Sequence, residues 1–323
     1  IMQRALTRFD EDKQRRAAQL EQRRRTAYAR APRLAEIEAE LRGTMGRIIS
    51  SALARGTDPV PAIRVLRDEN LQLQRERAEL LASLGYPADY LEEKPACDKC
   101  GDTGYVSGGV CACLRAYYAR EQLAELSRLL PLGEDSFETF SFDWYDSAVQ
   151  PAFGISPREN MERNYDVCRD YAYQFAKGSG DLLLSGGTGL GKTFLSACIA
   201  RVVSENGFSV VYDTAASVFS RFEDAKFRRD DGGSEDADRC MRCDLLILDD
   251  LGTEMTTSFV QSALYQIVNG RLMAGRSTII STNLAPEEIG SRYGRSVLSR
   301  LEGEYEILPF FGEDIRRLKR ERQ

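Results

Sequence analysis

Histidine is absent from all 323 residues. That absence excludes Ser-His-Asp and Cys-His machinery and every His-ligated metal site. Any chemistry must run on carboxylates, lysine, arginine, hydroxyls, thiols or a bound ion. An excess of positive charge is lacking as well: the formal net charge is −6 and the pI about 5.2. Such a chain does not coat nucleic acid through bulk charge. No apolar run approaches the ~18 residues of a membrane span. The start shows no export signal with basic, apolar and small-residue zones. A cytoplasmic protein with no membrane partner is therefore expected. The charge is uneven, since residues 1–95 carry 18 basic and 15 acidic side chains and the remainder is net −9. Without an export signal, the eight cysteines are expected as reduced thiols or metal ligands.

Residues 10–55 read as helix, with Leu34, Ile37, Leu41, Met45, Ile48 and Ala52 on one face. Gly56-Thr57-Asp58-Pro59 ends that pattern. A second helix follows with Ile63, Leu66, Asn70, Leu73, Arg77, Leu80 and Leu84 at heptad spacing, and a buried Asn70 there would fix register. The two helices fit either a hairpin with a solvated Arg/Glu face or a partner-docking arm. A short helix is expected over 114–130. Phe137, Phe140, Phe142, Trp144 and Tyr145 lead into the last domain. From about 160 onward, apolar strands alternate with amphipathic helices, the pattern of a parallel α/β sheet. The strands are expected at 181–185, 208–212, 244–249, 277–282 and 304–309. The Gly-rich acidic stretch Arg229–Arg239 is expected to be a mobile loop. The domains read as a helical arm (1–95), a cysteine module with its following helix (96–130), a linker (131–159) and a nucleotide-binding domain (160–323).

Gly186-Gly187-Thr188-Gly189-Leu190-Gly191-Lys192-Thr193 satisfies G-x-x-x-x-G-K-[ST] between an apolar strand and a helix. Glycines let backbone N–H groups and the helix N-terminus wrap a phosphate. Lys192 is expected to reach the β- and γ-phosphates of ATP, and the Thr193 hydroxyl to ligate Mg²⁺. Phe194 follows in the same turn of helix. The strand Leu245–Leu248 ends in Asp249-Asp250. Asp249 is the expected second Mg²⁺ anchor, and Asp250 either orients the attacking water or caps the next helix. Asn283, closing the next strand, is placed to hold that water. Arg295 and Arg300 lie on a short helix beyond it, each as a candidate finger for a neighbouring site or a solvated arginine.

Cys97, Cys100, Cys111 and Cys113 offer four soft thiolates on two short loops, a set suited to Zn²⁺ in a closed structural site. Four free thiols or an iron–sulfur cluster are the weaker readings. Cys240-x₂-Cys243 reads as buried packing.

The ordered set resembles the AAA+ ATPases, and more closely the DnaC/DnaI-type replicative helicase loaders. The resemblance rests on the Walker A segment, LLILDDLGTE, STIISTN, SVLSRL, the terminal FFGEDIR and the cysteine arrangement. It implies an AAA+ P-loop domain after a helical domain with a small zinc module, and no helical lid. It makes Asn283 sensor 1, Arg300 the arginine finger and Arg316 a sensor-like residue. Where the family has an arginine four residues before the finger this chain has Ser296, with Arg295 one place earlier. The implied activity is Mg²⁺-dependent ATP hydrolysis that switches loading of a hexameric helicase onto single-stranded DNA, with self-assembly through the ATPase domain. DNA contacts fall near Phe227, Thr257 and Phe259, beside the basic run Lys226 to Arg229. An IstB-like transposition helper acting on target DNA is the alternative. A small-molecule kinase fits the Asp-Asp, Asn and Arg series poorly.

Overall fold

A computed structural model describes the chain apart from residues 54–59, 130–135, 228–230 and 323, with backbone only at 45–53, 60–63, 127–129, 227 and 231–234. The expected break at 56–59 and the Arg228-Arg229 pair thus lie outside the described residues. Two compact units emerge: Leu6–Leu114, and Arg115–Gln323 together with Ile1–Ala5.

The first unit is helical. Helix α1 (Met2–Arg30) ends where Pro32 cannot supply an N–H, and α2 (Arg33–Leu53) restarts beyond it. The single helix expected over 10–55 is therefore two, and the first begins earlier. Helix α3 (Val60–Ser83) packs against α2, with Arg33 bonded to Glu76 at 2.9 Å across the pair. Of the expected seam Leu66 is buried and Leu73, Leu80 and Leu84 are half-buried, while Leu81, outside that seam, is fully buried. Asn70 differs from expectation: it is half-exposed and accepts from Gln74 of its own helix at 2.7 Å, so it pins no register. A two-residue hairpin, β1 (Tyr105–Val106) with β2 (Gly109–Val110), carries the cysteine module.

Helix α4 (Ala112–Leu129) starts in the first unit and continues in the second, which goes on with α5 (Pro157–Tyr173) and has a five-stranded parallel sheet at its centre. In chain order it contains β3 (Asp181–Gly186), α6 (Lys192–Glu205), β4 (Val210–Thr214) and α7 (Ala215–Phe227). Then come α8 (Asp231–Arg242), β5 (Leu245–Leu251), α9 (Ser258–Met273) and β6 (Ser277–Thr282). Last are α10 (Pro286–Tyr293), α11 (Arg295–Glu304), β7 (Tyr305–Phe310) and α12 (Ile315–Glu321). The spatial order β4-β5-β6-β3-β7 places β3 between β6 and β7. Apolar residues on both faces of each central strand fill two cores, one under α5 and α6, the other under α7 to α11. That double burial is why the strands read as continuous apolar runs. The free edge of β4 is covered by Gln122 of α4, whose amide bonds the Phe208 carbonyl (2.7 Å) and the Val210 N–H (3.0 Å).

The loop expected over 229–239 is corrected by the structure: Asp231–Arg242 is helical. Its composition is poor for a helix, but Ala237, Cys240 and Met241 form an apolar stripe that packs into the second core. Tertiary burial outweighs local propensity there. Cys240 and Cys243 are both buried, as expected for packing residues.

Candidate functional site

The loop Gly186–Gly191 leaves β3 at its carboxyl end and enters α6, at the crevice where parallel sheets bind ligands. Two of its glycines are required. Gly186 has φ +148, and a β-carbon there would overlap the Phe310 carbonyl. Gly189 has φ +70, and a β-carbon would overlap the Asp314 carboxylate. The segment after β7 is thus laid directly along the loop, and the Ile315 N–H donates to the Gly189 carbonyl at 3.0 Å.

Lys192 is buried, and its ammonium donates to the Gly186 and Gly187 carbonyls (2.6 Å each) and to Asn283 Oδ1 (2.7 Å). Burial lowers its pKa to about 8, opposed by the charges of Asp250 and Asp249. A phosphate arriving there would supply the anion that this desolvated ammonium lacks.

On β5, Asp249 follows Leu245 and Ile247 on the α6 face, as strand alternation dictates. Its Oδ1 lies 3.4 Å from Thr193 Oγ1 and also accepts from Ser281 Oγ; its Oδ2 accepts from Tyr212 OH at 2.7 Å. Alternation would send Asp250 to the opposite core. Instead the β5–β6 register shifts between Leu248 and Leu251, and Asp250 adopts φ +54. That bulge turns its side chain into the cavity. Burial first, and Asp249 second, raise the Asp250 pKa, while Lys192 and Arg316 pull it back.

The cavity, about 490 Å³, is lined by Thr188 to Phe194, Asp250, Asn283 and Arg316. Phe140, Trp144 and Tyr145 complete an apolar wall, with Phe140 edge-on to Phe194 at 5.4 Å. Tyr145 OH donates to the Leu190 carbonyl (3.1 Å), and Trp144 lies under Lys319 of α12 (5.5 Å). The structure thus brings together Lys192, Thr193, Asp249, Asp250, Asn283 and Arg316.

Other expected site residues lie elsewhere. Arg300 is half-exposed on α11, outside the cavity wall, and pairs with none of the described residues. Thr257 caps α9 by accepting from the Val260 N–H at 3.2 Å. Phe259 is half-buried against the second core, with the Lys226 ammonium 5.3 Å above its ring. The Phe227 side chain lies outside the described residues. Sequence reasoning missed Tyr212, Ser281, Tyr145 and Asp314. The one usable signal was a phenol inside the apolar strand preceding the Asp-Asp strand.

In the first unit, the Sγ atoms of Cys97, Cys100, Cys111 and Cys113 all lie within 4.8 Å of one another. Cys97 and Cys111 are 3.8 Å apart, and Cys100 and Cys113 3.4 Å. A tetrahedral ion with ~2.3 Å metal–sulfur bonds requires sulfurs about 3.8 Å apart, so the set fits one metal ion and leaves no room for a multi-iron cluster. The buried Asp102 accepts from the Ala96 and Cys97 N–H groups (3.0 Å each) and from Arg16 (2.9 Å), which fixes the first loop. Hydrogen bonding from Gly104 and the other thiols draws the Cys100 thiol down to about 6, against the cost of desolvation.

A P-loop, an acidic strand end and a polar third strand around one cavity define a P-loop nucleotide-binding site. Residues 167–323 match the family model for the IstB-like ATP binding protein. The uncharacterized protein YdaV of Escherichia coli K12 is 31% identical over 161 residues, 46% of this chain and 64% of that protein. The replicative helicase loader DnaC of the same strain is 30% identical over 135 residues, 41% of this chain and 54% of DnaC. The chain therefore spans between about half and two thirds of these relatives. Among solved structures, the DnaC helicase loader is 20% identical with a TM-score of 0.47, covering 56% of this chain and 99% of that one. DnaI is 17% identical with a TM-score of 0.43, covering 47% and 86%. None of the described helices is long and apolar enough to cross a membrane.

Proposed function

We propose that this chain is a cytoplasmic ATP-hydrolysing switch that loads a hexameric replicative helicase onto single-stranded DNA. The observation that carries the reading is the convergence of Lys192, Thr193, Asp250 and Asn283 on one cavity, with Asp249 3.4 Å from Thr193, in a domain whose relatives include a named helicase loader. Lys192 exchanges its loop carbonyls for the β- and γ-phosphates of ATP. The Gly186–Gly191 amides and the α6 N-terminus hold the remaining phosphate oxygens. Thr193 and Asp249 are the hard oxygen donors for Mg²⁺, which neutralises phosphate charge when bound. Asp250 takes the proton of the attacking water, Asn283 orients that water, and Arg316 adds positive charge above the site. The aromatic wall takes the base. Arg300 serves a neighbouring subunit. The four cysteines hold a structural Zn²⁺ that ties the two loops of the helical domain together. Single-stranded DNA lies across Phe227, Thr257 and Phe259 with phosphate contacts from Lys226, Arg228 and Arg229.

The match to the IstB-like model supports one second reading, a transposition helper that assembles on target DNA. One experiment separates the two. The full-length protein, ATP and the host's hexameric helicase are mixed with closed circular single-stranded DNA, and helicase bound to the circle is counted. ATP-dependent transfer supports the loader. No helicase binding, together with ATP-dependent assembly on duplex DNA, would replace it with the transposition reading.

A further inference from the structure

Asp249 is gripped by hydroxyls from both strands that flank its own. Tyr212, on the edge strand β4, is 3% exposed and donates to Oδ2 at 2.7 Å. Ser281, on β6, is fully buried and donates to Oδ1. The Ser281 hydroxyl also accepts the Asp250 N–H at 2.9 Å. A phenol set among valines in a sheet interior costs about 1–3 kcal/mol when unpaired, so its pairing with Asp249 accounts for its presence at that place. Each carboxylate oxygen thus has one donor from a flanking strand, and rotating the group breaks both of those bonds. The orientation so fixed leaves Oδ1 facing Thr193 at 3.4 Å.

We propose that Tyr212 and Ser281 are positioning residues: together they fix the Asp249 carboxylate for a divalent cation at Thr193, and Ser281 also pins the bulge that aims Asp250. The inference rests on the ATPase reading above. Partners that orient a metal ligand typically change metal affinity or activity 10–100-fold when removed. The two residues are expected to differ in a readable way. Tyr212 touches only the metal side of the site, whereas Ser281 touches both the metal side and the water side.

The test measures binding of a fluorescent ATP analogue to the full-length protein, once in EDTA and once across a Mg²⁺ titration, with turnover recorded in parallel. Tyr212→Phe should bind the analogue in EDTA as the parent does, yet need roughly tenfold more Mg²⁺ for half-maximal tightening. Its turnover should return at saturating Mg²⁺. Ser281→Ala should show the same Mg²⁺ shift and a turnover loss that saturating Mg²⁺ does not restore. Unchanged Mg²⁺ midpoints in both variants overturn the proposal. So does a Tyr212→Phe protein that melts earlier but keeps the parental midpoint, which would make the phenol a packing group. Should Tyr212→Phe not fold, the Ser281→Ala midpoint decides alone. A parent protein that binds no analogue at all would instead overturn the ATPase reading, and this inference with it.

Discussion

Asp249 and Asp250 are neighbours in sequence and opposites in environment. Asp249 is enclosed by three hydroxyls, whereas Asp250 faces the cavity with its pKa raised by burial and by Asp249. A carboxylate displaced toward neutral pH is a better proton acceptor than an ordinary one. Exchanging Asp250→Asn removes the acceptor and keeps the shape, so ATP binding should persist while single-turnover hydrolysis falls about 10²-fold or more. Near-parental hydrolysis would leave Asp250 as a structural bulge residue. Asp181, at the amino end of β3, is a different case. Burial raises its pKa to about 6, against the pull of the Thr278 amide it accepts at 2.6 Å and of Arg271. The folded protein holds a proton there that the unfolded chain releases near the ordinary aspartate value of 3.8. Between about pH 4 and 6 the folded state is the more protonated, so this group's contribution to stability falls as pH rises. The window is worth of order 2 kcal/mol. Urea unfolding of the parent and of Asp181→Asn should show the parent losing ground to the variant from pH 4 to pH 6.5. A difference independent of pH would refute the assignment.

At the level of elements, what the sequence made legible was set by local physics. The strands could be read because each is apolar on both faces, and the P-loop because phosphate wrapping demands glycine at fixed offsets. The four cysteines could be read as one cluster because their spacing lets two short loops bring them together. What stayed hidden depends on partners distant in the chain. Helix α8 has only three apolar residues with which to declare itself, and its burial is conferred by α7 and α9. Tyr212 and Ser281 acquire their meaning only when β4 and β6 are laid beside β5. Asp314 does so only when the segment after β7 crosses the P-loop. Pro32 splits the stretch that reads as one helix into α1 and α2. The cysteine module carries the prediction proper to this scale. Its hairpin has four strand residues, too few to stabilise itself, so the proposed ion would add to the order that the Asp102 bonds supply. Elemental analysis should find about one zinc per chain, and Cys97→Ser with Cys100→Ser should lose both the zinc and the near-ultraviolet signature of the module. A zinc-free parent with the module intact would return these thiols to ordinary packing.

For the whole molecule the decisive question is where Arg300 acts. It sits on α11, carries a formal positive charge with no described acidic partner, and stays off the wall of the cavity that Arg316 already lines. A guanidinium held free on a short helix is suited to a phosphate brought by another subunit, because its planar fork matches a trigonal phosphoryl group accumulating charge in the transition state. Fingers of this kind contribute roughly 10³–10⁵ in rate. The isolated chain should therefore hydrolyse ATP slowly, with turnover rising as protein concentration or DNA promotes assembly. Two variants make the geometry testable. Arg300→Ala keeps a sound nucleotide site and no finger; Lys192→Ala keeps the finger and binds ATP weakly, because the phosphate charge has lost its buried ammonium. Each alone should be nearly inactive. Mixed in equal amounts, they form interfaces in which an intact Arg300 faces an intact Lys192 site, so a finger acting in trans restores a fraction of the parental turnover. A finger acting in cis leaves the mixture as inactive as its parts. Parental activity in Arg300→Ala alone would remove the residue from the mechanism and with it the dependence of hydrolysis on assembly.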